Sequence, residues 1–300
     1  MFTKNKNFTA NDTIRKRKRI SGLMLDAVNR LFKDKLAVLS FIIIIFVVTM
    51  AVFAHDIAPN DPTKVDLQHR LAPASAQYPL GTDHLGRCLL SRLIYGARVS
   101  LTTSILALFA IMIIGIPLGI IAGYYGGLVD NIIMRIVDIL LAFPNLIFAL
   151  VIAGILGPGL LNVMISVIAV WWVGYARVVR GMVLSIKEKE FILAAEASGT
   201  NELKIVIRHI LPNVLSPVVV LATLEMGSLM LTISGLSFLG LGAQPPKPEW
   251  GAMLNDARPY MEIAPHLMIY PGICIMIVVL AFNFLGDGLR DALDPKEVIF

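Results

Sequence analysis

The chain has 300 residues, of which 57% are apolar and 16% are charged. A soluble domain of this length carries close to a quarter of charged residues, so the composition excludes an ordinary soluble globular protein. The net charge of +5 and the basic run at residues 15–19 indicate contact with anionic lipid and a fixed orientation in a membrane. They do not indicate nucleic-acid binding, because no recognition motif accompanies them.

The segment ahead of the first apolar run is strongly basic. Within it, Leu23, Leu25, Val28, Leu31 and Phe32 recur near helical spacing between charged residues. This pattern predicts a short amphipathic helix along the inner membrane surface, with a solvated lead-in as the alternative.

Six apolar runs are long enough to be considered as membrane spans, since a span needs about 20 mostly apolar residues. They lie at residues 36–54, 104–123, 136–156, 161–175, 214–236 and 267–285. The first run is too long for a secretory signal and is expected to be a permanent anchor. The predicted fold is an all-α integral membrane protein with six transmembrane helices.

The basic residues predict the orientation of these spans. With both termini on one side, that side holds 19 of the 26 Lys and Arg residues, so both termini are expected to be cytoplasmic. The predicted plan is a cytoplasmic segment at 1–35, a transmembrane domain at 36–286 and a cytoplasmic tail at 287–300. Within the transmembrane domain we expect external loops at 55–103 and 237–266 and a cytoplasmic loop at 176–213.

The two cysteines are not expected to form a disulfide. Cys88 falls in the first external loop and Cys274 falls inside the last span, so they are too far apart to be bridged. Cys88 follows His84 in the sequence DHLGRC, but this segment lacks paired ligands at zinc-like spacing. No metal site is predicted.

The second span carries four glycines at intervals of four residues. Such a row places small residues on one helix face, where another helix can approach at backbone distance. We therefore predict a helix-packing face formed by Gly115, Gly119, Gly123 and Gly127.

The third span contains a proline and begins with two opposite charges. Pro144 predicts a kink. Arg135 and Asp138 are three residues apart, which predicts an ion pair between them.

The segment at residues 190–212, EFILAAEASGTNELKIVIRHILP, is a charged interruption between apolar spans. Good helix formers end at Gly199, which permits a left-handed backbone, and Thr200 or Asn201 can cap a second helix. We expect Pro212 to end that second helix. The segment is interpreted as a cytoplasmic knob that a partner protein contacts, with an ordinary loop between spans as the alternative.

The sequence LAAEASG followed by HILPN resembles the EAA loop of ABC importer permeases. The resemblance implies that the loop inserts into a cleft of an ATPase subunit. Leu193 stands where this family has its name-giving glutamate, and His209 stands where isoleucine is usual, so Glu190 or Glu196 is the acid expected to meet the ATPase. The implied coupling residues are Glu190, Phe191, Leu193, Ala194, Ala195, Glu196, Gly199, Leu211 and Pro212.

Four longer stretches resemble the C-type subunit of the peptide/nickel branch of these permeases. They are LGTDHLGRCLLSRLIYGARVSL, GGLVDNIIMRIVDILLAFP, SFLGLGAQPPKPEWGAML and AFNFLGDGLRDALDP, and together they cover most of residues 80–295. The resemblance implies a multi-pass protein of the cytoplasmic (inner) membrane that moves its cargo by alternating access. Its implied partners are a homologous second permease in a heterodimer, two ATP-binding subunits and an extracytoplasmic substrate-binding protein.

The sequence contains no G-x-x-x-x-G-K-[ST] phosphate loop. ATP and Mg²⁺ are therefore expected to be bound by partner subunits, with no cofactor in this chain. The chain is predicted not to be an enzyme.

Glu225 is the acid that lies deepest in a predicted span, and such residues are functional candidates because they are unfavourable in lipid. Ser228 and Thr232 lie three and seven residues further on, on the same side of a helix. The three side chains are predicted to line the translocation path, although Glu225 could instead pair with a polar group of the second permease.

The cargo follows from resemblance alone. The segments AQPPKPEWG and GDGLRDALDP resemble those of dipeptide and oligopeptide permeases, whereas LGTDHLGRC and LATLEMG are closer to nickel permeases. Nickel, carried as a chelate, is slightly favoured. An ion-coupled transporter using Glu225 and Asp138 as a proton relay belongs to a different class, as does an intramembrane protease, for which the sequence lacks the paired catalytic residues.

Overall fold

The computed structural model describes residues 30–293. The predicted amphipathic helix at residues 23–32 lies almost entirely outside this range. Eleven α-helices lie wholly within it, and the only β-pairing in this range is one isolated bridge between Thr82 and Cys88. The helices are α1 Lys35–Val52, α2 Ala54–Ile57, α3 Leu89–Tyr125, α4 Gly127–Leu141, α5 Asn145–Leu156, α6 Leu160–Lys187, α7 Glu190–Ala197, α8 Glu202–Ile205, α9 Leu211–Phe238, α10 Trp250–Ala257 and α11 His266–Leu293.

The prediction of an all-helical membrane protein is confirmed. Five stretches of helix are long and apolar enough to cross a membrane, and the sixth candidate is the bent pair of α4 and α5. The predicted kink at Pro144 in the third span is confirmed, and it is sharper than a bend within one continuous helix. The chain breaks at Ala142–Pro144, and α4 and α5 meet at 87°, because the proline ring lacks an N–H and disfavours a helical residue before it.

Several helices extend well beyond the predicted spans. Helix α3 has 37 residues, a length of about 55 Å at 1.5 Å per residue, and its first turns lie in what the sequence predicted as an external loop. Helix α6 likewise continues from the predicted span to Lys187. A short π-helical stretch, Val206–Ile210, joins α8 to α9, so that Glu202–Phe238 forms one continuous rod.

The prediction that Pro212 ends a helix is therefore wrong. Pro212 is the second residue of α9 and lies inside the continuous rod, where its missing N–H removes one backbone hydrogen bond. The π-helical stretch directly before it widens the turn and accommodates the change in hydrogen bonding.

Helices α3 and α6 approach each other closely along three glycines of α3. A Cβ atom added to Gly115 would lie 2.6 Å from the Cβ of Tyr175, and one added to Gly119 would lie 2.6 Å from the carbonyl oxygen of Ala176. One added to Gly123 would lie 2.8 Å from the Cβ of Val183. We call Gly115, Gly119 and Gly123 the glycine ridge.

Gly127 does not belong to this ridge. It is the first residue of α4, with φ +54°, and no described residue comes within 4 Å of a Cβ built on it. Its spacing from the other glycines is therefore misleading, because α3 has already ended at Tyr125. Its conformation helps to start a new helix in a new direction.

Replacing Gly119 with leucine is expected to lower the free energy of unfolding by about 1–3 kcal/mol or more, because the added atoms overlap the α6 backbone. The matched control is Gly154→Leu on α5, where no described atom lies within 4 Å of an added Cβ. The midpoint of thermal unfolding of the detergent-solubilised protein measures both. Equal midpoints for the two variants would contradict the close approach of α3 and α6.

Candidate functional site

Helix α7 lies on the surface and is anchored by one apolar side chain. Ile192 is fully buried and packs in a core cluster with Ile186, Ile205 and Ile210. On the other side of α7, Phe191 is 43% exposed and Leu193 is 53% exposed. An eight-residue helix that buries one isoleucine and leaves neighbouring large apolar side chains uncovered offers a contact surface for another protein.

The turn after α7 depends on a backbone conformation that favours glycine. Gly199 has φ +71°, and its N–H donates to the carbonyl of Glu196 at 2.9 Å. The N–H of Thr200 donates to the carbonyl of Ala195 at 3.1 Å. Of the two predicted capping residues, Asn201 caps α8, and its side chain accepts from the N–H of Leu203 at 2.9 Å.

Most of the predicted coupling residues belong to α7 or to the turn at Gly199. The exposed ones are Glu190, Phe191, Leu193, Ala194, Glu196, Gly199 and Pro212, and Ala195 is partly buried. Leu211 differs from the others because it packs against the core cluster. Neither Glu190 nor Glu196 forms an ion pair with any residue in the range 30–293, so both carboxylates remain candidates for the contact with a partner.

The side chain of Lys187, whose role the sequence analysis did not predict, holds the chain just before α7. The Nζ of Lys187, at the end of α6, donates to the carbonyl of Tyr124 at 2.7 Å and lies 5.3 Å from the centre of its ring. This joins the last turn of α6 to the carboxyl end of α3, where a cation is favourable. The start of α7 is thereby held at a fixed place relative to both long helices.

Two ion pairs hold α4 against α6. The guanidinium of Arg180 makes two hydrogen bonds of 2.5 Å to the carboxylate of Asp130, and Arg177 pairs with Asp138. The predicted pair of Arg135 with Asp138 is therefore wrong, because the partner of Asp138 comes from another helix. The sequence did contain a pattern from which these pairs could have been predicted. The two arginines are three residues apart and the two acids are eight residues apart, and both spacings keep the charges on one face of a helix.

The predicted path residues lie on α9, within the rod that begins at the coupling surface. Glu225 is partly buried, Ser228 is exposed, and the hydroxyl of Thr232 donates to the Ser228 carbonyl at 2.8 Å. Among the residues that the structure describes, Glu225 has no hydrogen-bonding or ion-pair partner. Helix α9 packs against α3, α6 and α11, and Ser228 lies on a part of its surface that these helices leave exposed.

A second group of polar side chains closes the opposite end of the molecule, and we call it the outer cap: Asp83, Arg87, Arg92, Glu249 and Asp256. The Nε of Arg87 lies 2.7 Å from Asp83, and both arginines approach Asp256 at 3.5–3.6 Å. Two cations and two anions offset each other's charge, which buried ions require. Arg92 also donates to the carbonyls of Pro62 and Pro246 at 3.3 and 3.4 Å.

Glu249 fixes the loop that precedes α10. Its fully buried carboxylate accepts from the N–H groups of Gly251 and Ala252 at 3.0 and 2.8 Å and from the hydroxyl of Ser100 at 3.1 Å. Burial raises the pKa of this carboxyl, and the two backbone hydrogen bonds act in the opposite direction. The Nε1 of Trp250 completes the attachment to α3 by donating to the carbonyl of Leu93 at 3.0 Å.

The residues that drew attention to a possible nickel cargo are engaged in this cap. Cys88 is buried, with 2% exposure. The imidazole of His84 stacks on the ring of Tyr260, with centroids 5.2 Å apart and an interplanar angle of 15°. Burial also lowers the pKa of His84.

The variant Glu249→Ala is expected to lower the free energy of unfolding by about 1–3 kcal/mol, because it removes a helix cap and leaves buried N–H groups without an acceptor. Glu262→Ala, at an exposed position near the same end, is the control. Thermal unfolding of the purified protein measures the difference. A midpoint for Glu249→Ala equal to that of the control would show that the cap does not depend on this carboxylate.

Two protein families match the sequence. Residues 115–298 match the family described as binding-protein-dependent transport system inner membrane component. Residues 22–74 match the family described as N-terminal TM domain of oligopeptide transport permease C.

Three curated relatives illustrate the similarity over almost the whole chain. A dipeptide transport system permease protein of Alkalihalophilus pseudofirmus is 46% identical over 271 residues, covering 90% of this chain and 89% of the relative. A glutathione transport system permease protein of Pectobacterium atrosepticum is 45% identical, with 89% of each chain covered. A nickel transport system permease protein of Escherichia coli is 43% identical, with 87% of this chain and 94% of the relative covered.

The fold is similar to that of the MetNI methionine ABC transporter in an inward-facing crystal form. The TM-score is 0.50 at 22% sequence identity, and the match covers 67% of this chain and 95% of that chain.

Proposed function

Because the chain belongs to the binding-protein-dependent transport system inner membrane component family and is the permease subunit of an ABC importer, we propose that its cargo is a dipeptide or short oligopeptide. The chain is a multi-pass inner-membrane protein and not an enzyme, since ATP hydrolysis in this family takes place in partner ATPase subunits. It works with those ATPases and with a substrate-binding protein. Family membership excludes the secondary transporter and the protease considered above.

The observation that carries the peptide proposal is the similarity along nine-tenths of the chain to a relative named for dipeptide transport, at 46% identity. The second relative is named for glutathione, which is itself a small peptide. The relative named for nickel transport is less similar to this chain than these two are. The sequence-based preference for nickel is therefore not supported by the sequence identities. Its local basis is also weakened, because the Cys88 thiol is buried and the His84 imidazole is stacked on Tyr260.

Nickel remains the second candidate on one specific observation. Glu225 is an acid within a membrane-crossing helix and has no described partner, so a cationic cargo would find a carboxylate there. The relative named for nickel transport is only slightly less similar, at 43% identity.

We further propose that α7 docks into the ATPase subunit on the cytoplasmic side. The apolar side chains of Phe191 and Leu193 would be covered by that partner, and the small Ala194 permits close approach. Movement of α7 then reaches α8 through the Gly199 turn, and the rod Glu202–Phe238 carries it to Glu225, Ser228 and Thr232. A homologous second permease would complete the path from the other side in a heterodimer.

The docking proposal predicts that Gly199→Val reduces uptake while ATPase activity and membrane insertion persist. A β-branched residue at φ +71° is strained by about 1–2 kcal/mol or more, equivalent to roughly a 5- to 30-fold change in an equilibrium. Gly199→Asn is the matched control, since asparagine tolerates this conformation. Uptake and ATP hydrolysis are measured together in proteoliposomes containing the complete transporter, and wild-type uptake by Gly199→Val would exclude the proposed coupling.

The cargo proposal predicts that a labelled dipeptide enters these proteoliposomes in an ATP-dependent manner and that unlabelled dipeptide competes. Nickel, supplied alone or with a chelator such as histidine, is expected to compete poorly. Glu225→Gln is expected to leave dipeptide uptake within about twofold, because the glutamine carbonyl oxygen can still accept a hydrogen bond from the peptide ammonium group. Uptake of nickel without dipeptide would instead establish the second candidate.

A further inference from the structure

A cavity of about 380 Å³ opens between the outer part of α3 and the start of α6. It lies at the end of the molecule opposite α7, because α6 begins beside it and ends at Lys187 next to the coupling surface. We call it the outer cavity. Its lining residues are Arg98, Val99, Thr102, Thr103, Leu106, Leu160, Leu161, Met164 and Lys247.

The lining combines two cations with an apolar wall. Arg98 comes from α3 and Lys247 from the loop before α10, and within residues 30–293 neither has an acidic partner within 4 Å. Leu106, Leu160, Leu161 and Met164 supply apolar surface. A concave, mainly apolar site with a few converging polar groups is the usual form of a small-molecule site, and the volume is in the range of such sites.

The two threonines present oxygen acceptors rather than donors. The hydroxyl of Thr102 donates to the carbonyl of Arg98 at 2.6 Å, and that of Thr103 donates to the carbonyl of Val99 at 2.8 Å. Each hydroxyl has therefore given its hydrogen to the helix backbone, while its oxygen can still accept from a ligand N–H. The cavity thus offers positive charge, hydrogen-bond acceptors and apolar surface together.

The outer cap fixes the position of Lys247. Arg92 holds the carbonyl of the preceding Pro246 at 3.4 Å, and Glu249, two residues further on, is bonded to Ser100 of α3. Both attachments reach α3 within about two turns of Arg98. The backbone at both cations is therefore placed beside the cavity by contacts that are independent of any ligand, and both cationic side chains are exposed.

We propose that the outer cavity binds the peptide cargo as it enters, with Arg98 and Lys247 holding the peptide carboxylate; this rests on the proposed function of peptide import. Arginine matches the two oxygens of a carboxylate, and lysine adds a second positive charge. Thr102 and Thr103 accept from peptide N–H groups, and a side chain of the peptide contacts the wall formed by the leucines and Met164. Both cations lie at the end of the molecule opposite α7. The cavity is therefore proposed as a site for the cargo and not as a site of contact with the ATPase.

The test uses the complete transporter in proteoliposomes and a dipeptide that carries a diazirine-bearing leucine analogue. After irradiation, adducts are expected on residues 160–164 of this chain. The same dipeptide with a C-terminal amide, applied directly to the complex without binding protein, is expected to give roughly five- to tenfold fewer adducts, since it lacks the carboxylate. Equal labelling by acid and amide, or adducts absent from this cavity, would overturn the site.

Variants test the two cations separately from folding. Arg98→Gln with Lys247→Gln is expected to raise the half-saturating dipeptide concentration for uptake about five- to tenfold, while Arg98→Lys keeps part of the affinity. The matched control combines Arg258→Gln with Lys64→Gln, two exposed residues of the same charge that do not line the outer cavity. An unchanged half-saturating concentration in the first double variant would also overturn the proposal.

The composition of the vesicles distinguishes a peptide from a lipid headgroup. Assays run in phosphatidylcholine alone and in phosphatidylcholine with phosphatidylglycerol are expected to show the same dependence on Arg98 and Lys247. A dependence seen only with phosphatidylglycerol would assign the cations to lipid and overturn the peptide site. Absence of dipeptide import by the wild-type complex would overturn the proposed function itself, which distinguishes that failure from import that ignores these two residues.

Discussion

The contact between α3 and α6 at the glycine ridge is the constraint on which the rest of the molecule depends. Because Gly115, Gly119 and Gly123 have no Cβ atoms, the backbone of α3 lies directly against the backbone and Cβ atoms of α6. This close packing leaves no space for the two helices to shift relative to each other. At one end this contact places Lys187 on the carbonyl of Tyr124 and so fixes where α7 begins. At the other end it sets the outer cavity between the same two helices.

The outer cap serves the same purpose with different chemistry. The loops at this end contain little regular structure, and they are attached to α3 by buried charges rather than by apolar packing alone. Arg92 and Glu249 satisfy backbone carbonyls and N–H groups that a loop would otherwise leave unpaired. The result is a fixed platform at this end of the molecule, while α7 at the other end is held mainly by Ile192.

The local features of the sequence predicted the fold well, because a run of about 20 apolar residues has few outcomes other than a membrane helix. The turn at Gly199 was also predicted from the sequence, since a glycine that follows good helix formers readily adopts the left-handed backbone that ends a helix. The bend at Pro144 was predicted as well, but the place of Pro212 inside a helix was not, because whether a proline ends a helix depends on the hydrogen bonding of the turn before it. The Arg177–Asp138 pair and the outer cavity were missed for another reason: each joins residues far apart in the chain, and a single sequence does not show which distant charges meet.

The ion pairs of α4 have a consequence for how the molecule responds to ionic strength. Apolar contact between α3 and α6 is insensitive to dissolved salt, whereas the side chains of Arg177 and Asp138 are both at least half exposed. Exposed charges are screened over about 8 Å at physiological ionic strength, so dissolved salt weakens the Arg177–Asp138 pair and leaves the apolar contact of Val137 with Val173 and Ala176 unaffected. The carboxylate of Asp130 is better shielded from water. The Arg180–Asp130 pair is therefore less sensitive to salt and continues to hold α4 against α6.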